Sequence, residues 1–388
     1  MLGLPGCFMS NGETGGGGVI LGTASEAVLT VMVAARERFL HDASGDTEGE
    51  EREKERLKGK IVVLGSSATH SSTKKAAKIL GMRFEAIPVN REDGYALTGG
   101  KLKACLVRLR ERGLEPFFLT ATMGTTDTCA VDDFGGISEV LKVYAQDTGR
   151  DIWVHVDAAH AGAALICPEV RDKIRVSVFE DFHSFDMNMN KWMLVNLDAS
   201  CLFIRDRNWL IRAFSVNQAV YDNHHSEGGL VTDYREWQIP LSRRFRALKI
   251  WFVMRTYGVE GIREYIRKTM GLAERFEKLL KTKQHLFEIL AGPSFALLVF
   301  RVVSPVGHKE SPENKLRRQN KLTRLLCEKA NSSGKVWVTS TVLEERYAIR
   351  FMTAVSTTEE RHIDMAFALF VELAEEVQSA EILDEEYS

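Results

Sequence analysis

IWVHVDAAHAG, residues 152–162, sets an apolar run ahead of an aspartate and a turn of small residues. A strand that is apolar almost throughout is buried on both faces, and such strands belong to parallel sheets covered by helices. Working outward, further short apolar runs are KIVVLG (60–65), FEAIPV (84–89), FFLTATM (117–123) and CLFIRD (201–206). Helical patterns at Ser25–Leu40, Leu102–Arg112 and Ile137–Thr148 are interspersed with them. Strands alternating with helices predict an α/β domain with a mostly parallel sheet. Such sheets bind ligands at the carboxyl ends of their strands, where Asp157 stands.

From Ser242 the pattern changes. RRFRALKIWFVMRTYG (243–258) and Val259–Lys283 read as two long helices, SFALLVFRVV (294–303) and RYAIRFMTAV (346–355) as strands, and Thr358–Val377 as a closing helix. Ser311–Gln319 reads as a polar connection, and His41–Lys60 as a charged, solvated loop feeding a helix. The expected division is a large domain over 1–255 and a smaller α+β domain over 256–388. The 388 residues suffice for both. A net charge of -2 argues against nucleic acid or an anionic membrane as partner. Six scattered cysteines without a CxxC pair read as free thiols of a reducing compartment. No apolar stretch is long enough to span a bilayer, and the N-terminus lacks the charged region of a signal peptide, so the cytoplasm is expected.

Three stretches could carry chemistry. In GGGGVILGTASEA (15–27) a glycine-rich turn runs into Thr23–Glu26, a capping-box pattern. Unbonded N–H groups at a helix start, with hydroxyls beside them, suit a phosphate. No frame gives GxGxxG, and Thr23 stands where a P-loop would have lysine. In HVDAAHAG (155–162), Asp157 would be a buried carboxylate needing a positive partner, such as a protonated pyridine nitrogen. A capping role is its plain structural alternative. A metal is another, since His155 and Asp157 share one strand face, but it leaves the glycine turn and Lys191 unexplained. In FHSFDMNMNKWMLVN (182–196), Lys191 precedes Trp192, Met193, Leu194 and Val195, which predicts partial burial and a lowered pKa. A neutral amine is what imine-forming chemistry needs, whereas a snorkelling surface lysine is the bland reading.

Taken in order, phosphate turn, His70 in SSATHSS (66–72), Asp157 at a strand end and then Lys191 are the layout of a pyridoxal-5′-phosphate (PLP) site. The chain resembles the group II PLP-dependent decarboxylases, and within them the aromatic-L-amino-acid decarboxylase branch. The pieces that carry the resemblance are GGGVILGTASEA, Ala68–Ser72, PFFLTATMGTT (116–126), WVHVDAAHAG (153–162), ICPE (166–169), the S-F-x5-K-W frame of Ser184–Trp192 and TDYREWQIPLSRRFRALKIWF (232–252). The C-terminal part matches more weakly. The resemblance implies the aspartate-aminotransferase fold (fold type I), PLP as cofactor and a homodimer. It also implies residue roles. Ala24 and Ser25 hold the phosphate with help from Asn188, and His70 lies on the pyridine face. Thr126 is near the ring substituents, Asp157 pairs with the ring nitrogen, Ala159 packs beneath the ring, and Lys191 carries the cofactor. The implied reaction is decarboxylation of an amino acid, aromatic by inheritance from the branch, to the amine and CO2. No metal is implied.

The sequence departs from the family pattern in three ways. The family has a long segment ahead of the phosphate turn, whereas this sequence begins almost at it. That motivates a truncated, non-catalytic PLP-fold protein as an alternative. Asn190 stands where histidine usually precedes the lysine, and Asp186 stands where asparagine is usual. The family's loop tyrosine, which returns a proton to Cα, aligns with Val220, and Tyr221 is one residue on. Tyr221 is the expected proton donor after a one-residue shift of the loop. Val220 facing the cofactor would favour an aromatic aldehyde synthase.

Overall fold

The computed structural model describes residues 1–44, 50–216, 232–304 and 311–386. It contains two compact units, Met1–Thr125 with Ala130–Ile262, and Thr126–Cys129 with Arg263–Ser388.

The first unit is built on seven strands: β1 Gly17–Leu21, β2 Ile61–Ser66, β3 Arg83–Ile87, β4 Glu115–Thr122, β5 Trp153–Asp157, β6 Ser184–Asn188 and β7 Ser200–Ile204. Their order across the sheet is β1-β7-β6-β5-β4-β2-β3. β2 to β6 run parallel, and β7 is antiparallel to both β6 and β1. Two reversals restore direction, so β1 runs parallel to β6 and delivers its exit to the same carboxyl edge as β2, β4 and β5.

Helices α1 Ala24–Ser44, α2 Glu50–Lys58, α3 Ser71–Ile79, α4 Gly99–Glu111, α5 Phe134–Thr148, α6 Pro168–Ile174, α7 Met189–Trp192 and α8 Asn208–Phe214 complete this unit's shorter helices. α1 buries Val28, Val31, Met32, Ala35 and Phe39 in a core shared with Val19, Val63, Phe117, Phe118 and Trp153. This coverage explains why β2, β5 and β6 are buried at every position.

Two expected loops are regular structure. The glycine run is not a turn: Gly17–Leu21 is a strand, because its backbone pairs with β7. A Cβ at Gly17 would stand 2.7 Å from the buried Trp237 ring, so glycine is needed there for close approach rather than for turning. Lys191, whose place after Asp157 suggests a loop, instead lies on the single helical turn α7 that follows β6.

The second unit holds a separate antiparallel sheet of β8 Phe287–Ser294, β9 Leu297–Val302, β10 Thr339–Leu343 and β11 Arg346–Met352, in the order β10-β11-β9-β8. Its core is aromatic and aliphatic, with Phe276, Phe300, Phe351 and Phe370 in mutual contact. Ser311–Gln319 is not a connection. Ser311 caps Asn314 N–H at 3.2 Å and Pro312 opens the helix Pro312–Ser332, both favoured at a helix start. The two expected long helices are joined as Ala247–Lys281, kinked at Gly258 with φ 64°. The sequence-based boundary at 255/256 falls inside that helix.

Candidate active site

The carboxyl edge of the large sheet gathers most of the expected residues. At the exit of β1, Thr23 caps α1, its Oγ1 accepting from Glu26 N–H at 3.2 Å, while Glu26 Oε2 accepts from Gly22 N–H at 2.8 Å. The capping box is therefore closed one residue earlier than the usual pattern. Ala24 N–H donates to Asn188 Oδ1 at 3.0 Å, which brings the start of α1 and the end of β6 together. Ser25 follows, exposed.

Behind this turn lies support that sequence reading did not single out. Arg246 Nη2 meets Asp198 Oδ2 at 2.9 Å, and a Cβ at Gly22 would crowd both side chains. The hydrogen bond from Arg246 holds the Asp198 carboxyl down to about 2. Arg246 lies in the stretch 232–252, one of the pieces that carry the family resemblance, so its position carried a signal although its partner did not.

Asp157 ends β5, buried, with Oδ1 accepting from Ala159 N–H at 3.0 Å. Among the described residues no lysine, arginine or histidine forms an ion pair with it. A buried carboxylate without a counter-charge is costly unless a cation arrives. A pyridinium nitrogen fits that need, and the turn at Gly22–Ser25 fits a phosphate. Ala159 is buried two residues on.

His70 is exposed at the N-cap of α3, its Nδ1 accepting from Ser72 N–H at 3.2 Å. Thr126 belongs to the second unit, because hydrogen bonds from Ser294 Oγ to Cys129 O and from Thr341 Oγ1 to Asp127 tie its segment there. Val220 and Tyr221 lie outside the described residues.

Lys191 corrects an expectation: it is exposed, not partly buried. Residues 189–192 make one helical turn that buries Met189 and Trp192 and turns Lys191 outward. Trp192 stacks on His160 at 5.0 Å between ring centroids. Asn190 Oδ1 accepts from Ala199 N–H at 3.0 Å, pinning the 190–199 loop beside the lysine. No group of His, Cys, Asp or Glu among the described residues could hold a metal ion.

Sequence reading also missed a buried polar row. Ser184, Asp186 and Asn188 alternate with Phe185 and Met187 along β6, and Ser184 and Asp186 register with His155 and Asp157 of β5. The alternation S-F-D-M-N was the available signal, since a strand turns every second residue to one face.

Comparison with known proteins agrees with this geometry. The pyridoxal-dependent decarboxylase conserved domain matches residues 1–303. Tyrosine decarboxylase 2 of Narcissus pseudonarcissus is 41% identical over 377 residues, covering 96% of this chain and 70% of the relative. Phenylacetaldehyde synthase of Arabidopsis thaliana is also 41% identical over 377 residues, covering 96% and 71%. The crystal structure of Oryza sativa TDC with PLP and tryptamine superposes with a TM-score of 0.87 at 35% identity, covering 97% of this chain and 74% of that one. With its domain matched over most of its length and the edge of its sheet shaped for the cofactor, the chain belongs to the pyridoxal-dependent decarboxylases.

Proposed function

We propose that this chain removes the α-carboxylate of an aromatic L-amino acid, releasing the amine and CO2, as a cytoplasmic homodimer. The observation that carries the site assignment is Asp157, a buried carboxylate without a cationic partner at the edge where Ala24, Asn188 and Lys191 also converge. The aromatic substrate rests on relatives named for tyrosine and tryptophan.

Bound PLP supplies an electron sink for the pair left when the Cα–carboxylate bond breaks. Asp157 holds the proton on the ring nitrogen that makes the sink deep. The N–H groups and hydroxyls of Thr23–Ser25 bind the phosphate, with Asn188 fixing the turn. Lys191 would be the amine that anchors the cofactor, a role its outward position on α7 suits. His70 and Ala159 would flank the cofactor ring, and Tyr221 would return a proton to Cα.

The homodimer is supported by exposed apolar side chains along 241–252. Phe245 is 76% exposed, Leu241 57%, Phe252 56% and Trp251 55%, a density more typical of an interface core than of free surface. Light scattering at micromolar concentration is expected to give a dimer, and a clean monomer would count against it.

Phenylacetaldehyde synthase, as similar as the tyrosine decarboxylase, favours one second reading, an aldehyde product. Incubating the full chain and PLP with tyrosine, tryptophan, DOPA or phenylalanine separates the two. Amine equal to CO2 supports the proposal. Stoichiometric hydrogen peroxide and aldehyde would replace it with the second reading, in which case Val220→Tyr is expected to restore amine. Absence of CO2 from every substrate would leave a PLP-fold protein without this activity.

A further inference from the structure

Beneath Asp157 lies a directed chain of hydrogen bonds. Trp153 Nε1–H, which can only donate, reaches Ser184 Oγ at 2.9 Å. Ser184 Oγ in turn lies 2.9 Å from His155 Nδ1. The hydroxyl accepts from Trp153, and in the tautomer with its proton on Nε2 the imidazole accepts the hydroxyl's proton at Nδ1. Nε2 lies 3.2 Å from Asp186 Oδ1, close enough for an ion pair but not aligned as a hydrogen bond, and neither buried atom has a hydrogen-bond partner among the described residues. Two fully buried polar atoms facing each other at that distance need a proton between them, or both forfeit their solvation. The second Asp186 oxygen lies 3.4 Å from Ser200 Oγ.

Asp186 and Asp157 are register partners on adjacent parallel strands, so their side chains share a face and their backbones stand about 4.8 Å apart. Aspartate at 186 therefore sets a second acid directly beside the first. A structural role alone does not require the charge, because an amide would accept from His155 equally well.

Resting on the reading of Asp157 as the ring-nitrogen partner, we propose that Asp186 is a positioning residue for the cofactor, a second buried carboxylate that strengthens the site's hold on a protonated pyridine ring. A negative charge at this range favours the cationic ring over the neutral one and acts through Asp157 rather than by contact. Burial pushes the Asp186 carboxyl up to about 6, with the Asp157 charge adding to the rise and His155 and Lys191 opposing it. The added field is therefore present above that pH and fades below it. Two further groups sense the pair's charge: Asp132, raised in part by Asp157, and Cys201 on the other face of β7, which burial pushes up to about 12 with Asp186 adding to the rise.

The test is PLP binding to the apo-protein, read by tryptophan fluorescence at pH 5 and pH 7.5, with ring protonation read from the NMR shift of 15N-labelled PLP. Asp186→Asn is expected to weaken binding about tenfold at pH 7.5 and to match the wild type within about twofold at pH 5, while the apo-protein's Tm at pH 7.5 holds or rises. A lower Tm with unchanged affinity at pH 7.5, or an equal loss at both pH values, would overturn the proposal. Asp157→Asn is the companion arm. If it leaves affinity and the 15N shift unchanged, the ring-partner reading has failed; if it changes both and Asp186→Asn changes neither, only the present inference has. Should Asp186→Asn not fold, Asp186→Ser also removes the carboxylate and is expected to give the same pH-selective loss. A pH-independent effect there counts against the proposal.

Discussion

The two sheets bury their interiors differently. The small sheet packs over an apolar centre of Phe276, Phe300, Phe351 and Phe370, whose packing stabilises the unit. In the large sheet β4, β5 and β6 bury Thr120, Thr122, His155, Asp157, Ser184, Asp186 and Asn188, most of them toward the carboxyl ends of the strands. Asp132, whose carboxylate accepts from Leu97 N–H and Thr122 N–H at 2.7 Å each, joins them. Buried polar atoms cost free energy unless paired, so their concentration at one edge marks where a ligand completes the pairing. One sheet is built for stability and the other gives some of it up for a site.

That contrast breaks most sharply at Lys191. Lys191→Ala is expected to abolish borohydride-stable labelling by PLP and all turnover, while the exposed position keeps apo stability within about 0.5 kcal/mol. Retained labelling would refute its role. Asp157→Asn comes next, with turnover falling roughly 10²–10³-fold and stability changing by no more than about 1 kcal/mol, since an amide oxygen still accepts from Ala159 N–H. A purely structural Asp157 would show the reverse pattern, a stability loss with normal turnover per bound cofactor.

The small sheet should answer in the opposite sense. Phe300→Ala empties the centre of its aromatic cluster and is expected to cost about 3–5 kcal/mol in urea unfolding, with PLP affinity of the folded fraction unchanged. Weakened PLP binding without a stability loss would erase the distinction between the two sheets.

The smallest effects are in the pH dependence of apo stability. Burial raises Asp132 to about 7 and Asp186 to about 6 from an ordinary 3.8, so their contribution is full below 3.8 and is lost as pH rises through those values. Elsewhere, burial holds His183 down to about 4, beside Asp151 at 2.9 Å. Its contribution is present above 6.5 and lost as pH falls through about 4. Urea melts at pH 5, 6.5 and 8 should therefore show opposite slope changes between pH 5 and 6.5: His183→Asn removes a gain of stability with rising pH, and Asp132→Asn removes a loss. The same slope change in both variants would show that neither group titrates as described.

What the sequence by itself determined was the layout. Apolar runs separated by helical patterns specify a covered parallel sheet, since strands buried on both faces cannot alternate. Asp157 at the end of such a run must then lie at the ligand edge. Lys191 was legible as a candidate, but its exposure was not, because one turn of helix, formed by packing Met189 and Trp192, decides which way it points. The glycine run was misread for a related reason. Glycine marks both turns and close approaches, and only the Trp237 ring against Gly17 distinguishes them. The partnership of Asp186 with His155, and of both with Asp157, was decided by the tertiary structure alone. It depends on the register of β5 against β6, and register is a relation between segments that neither segment carries in itself.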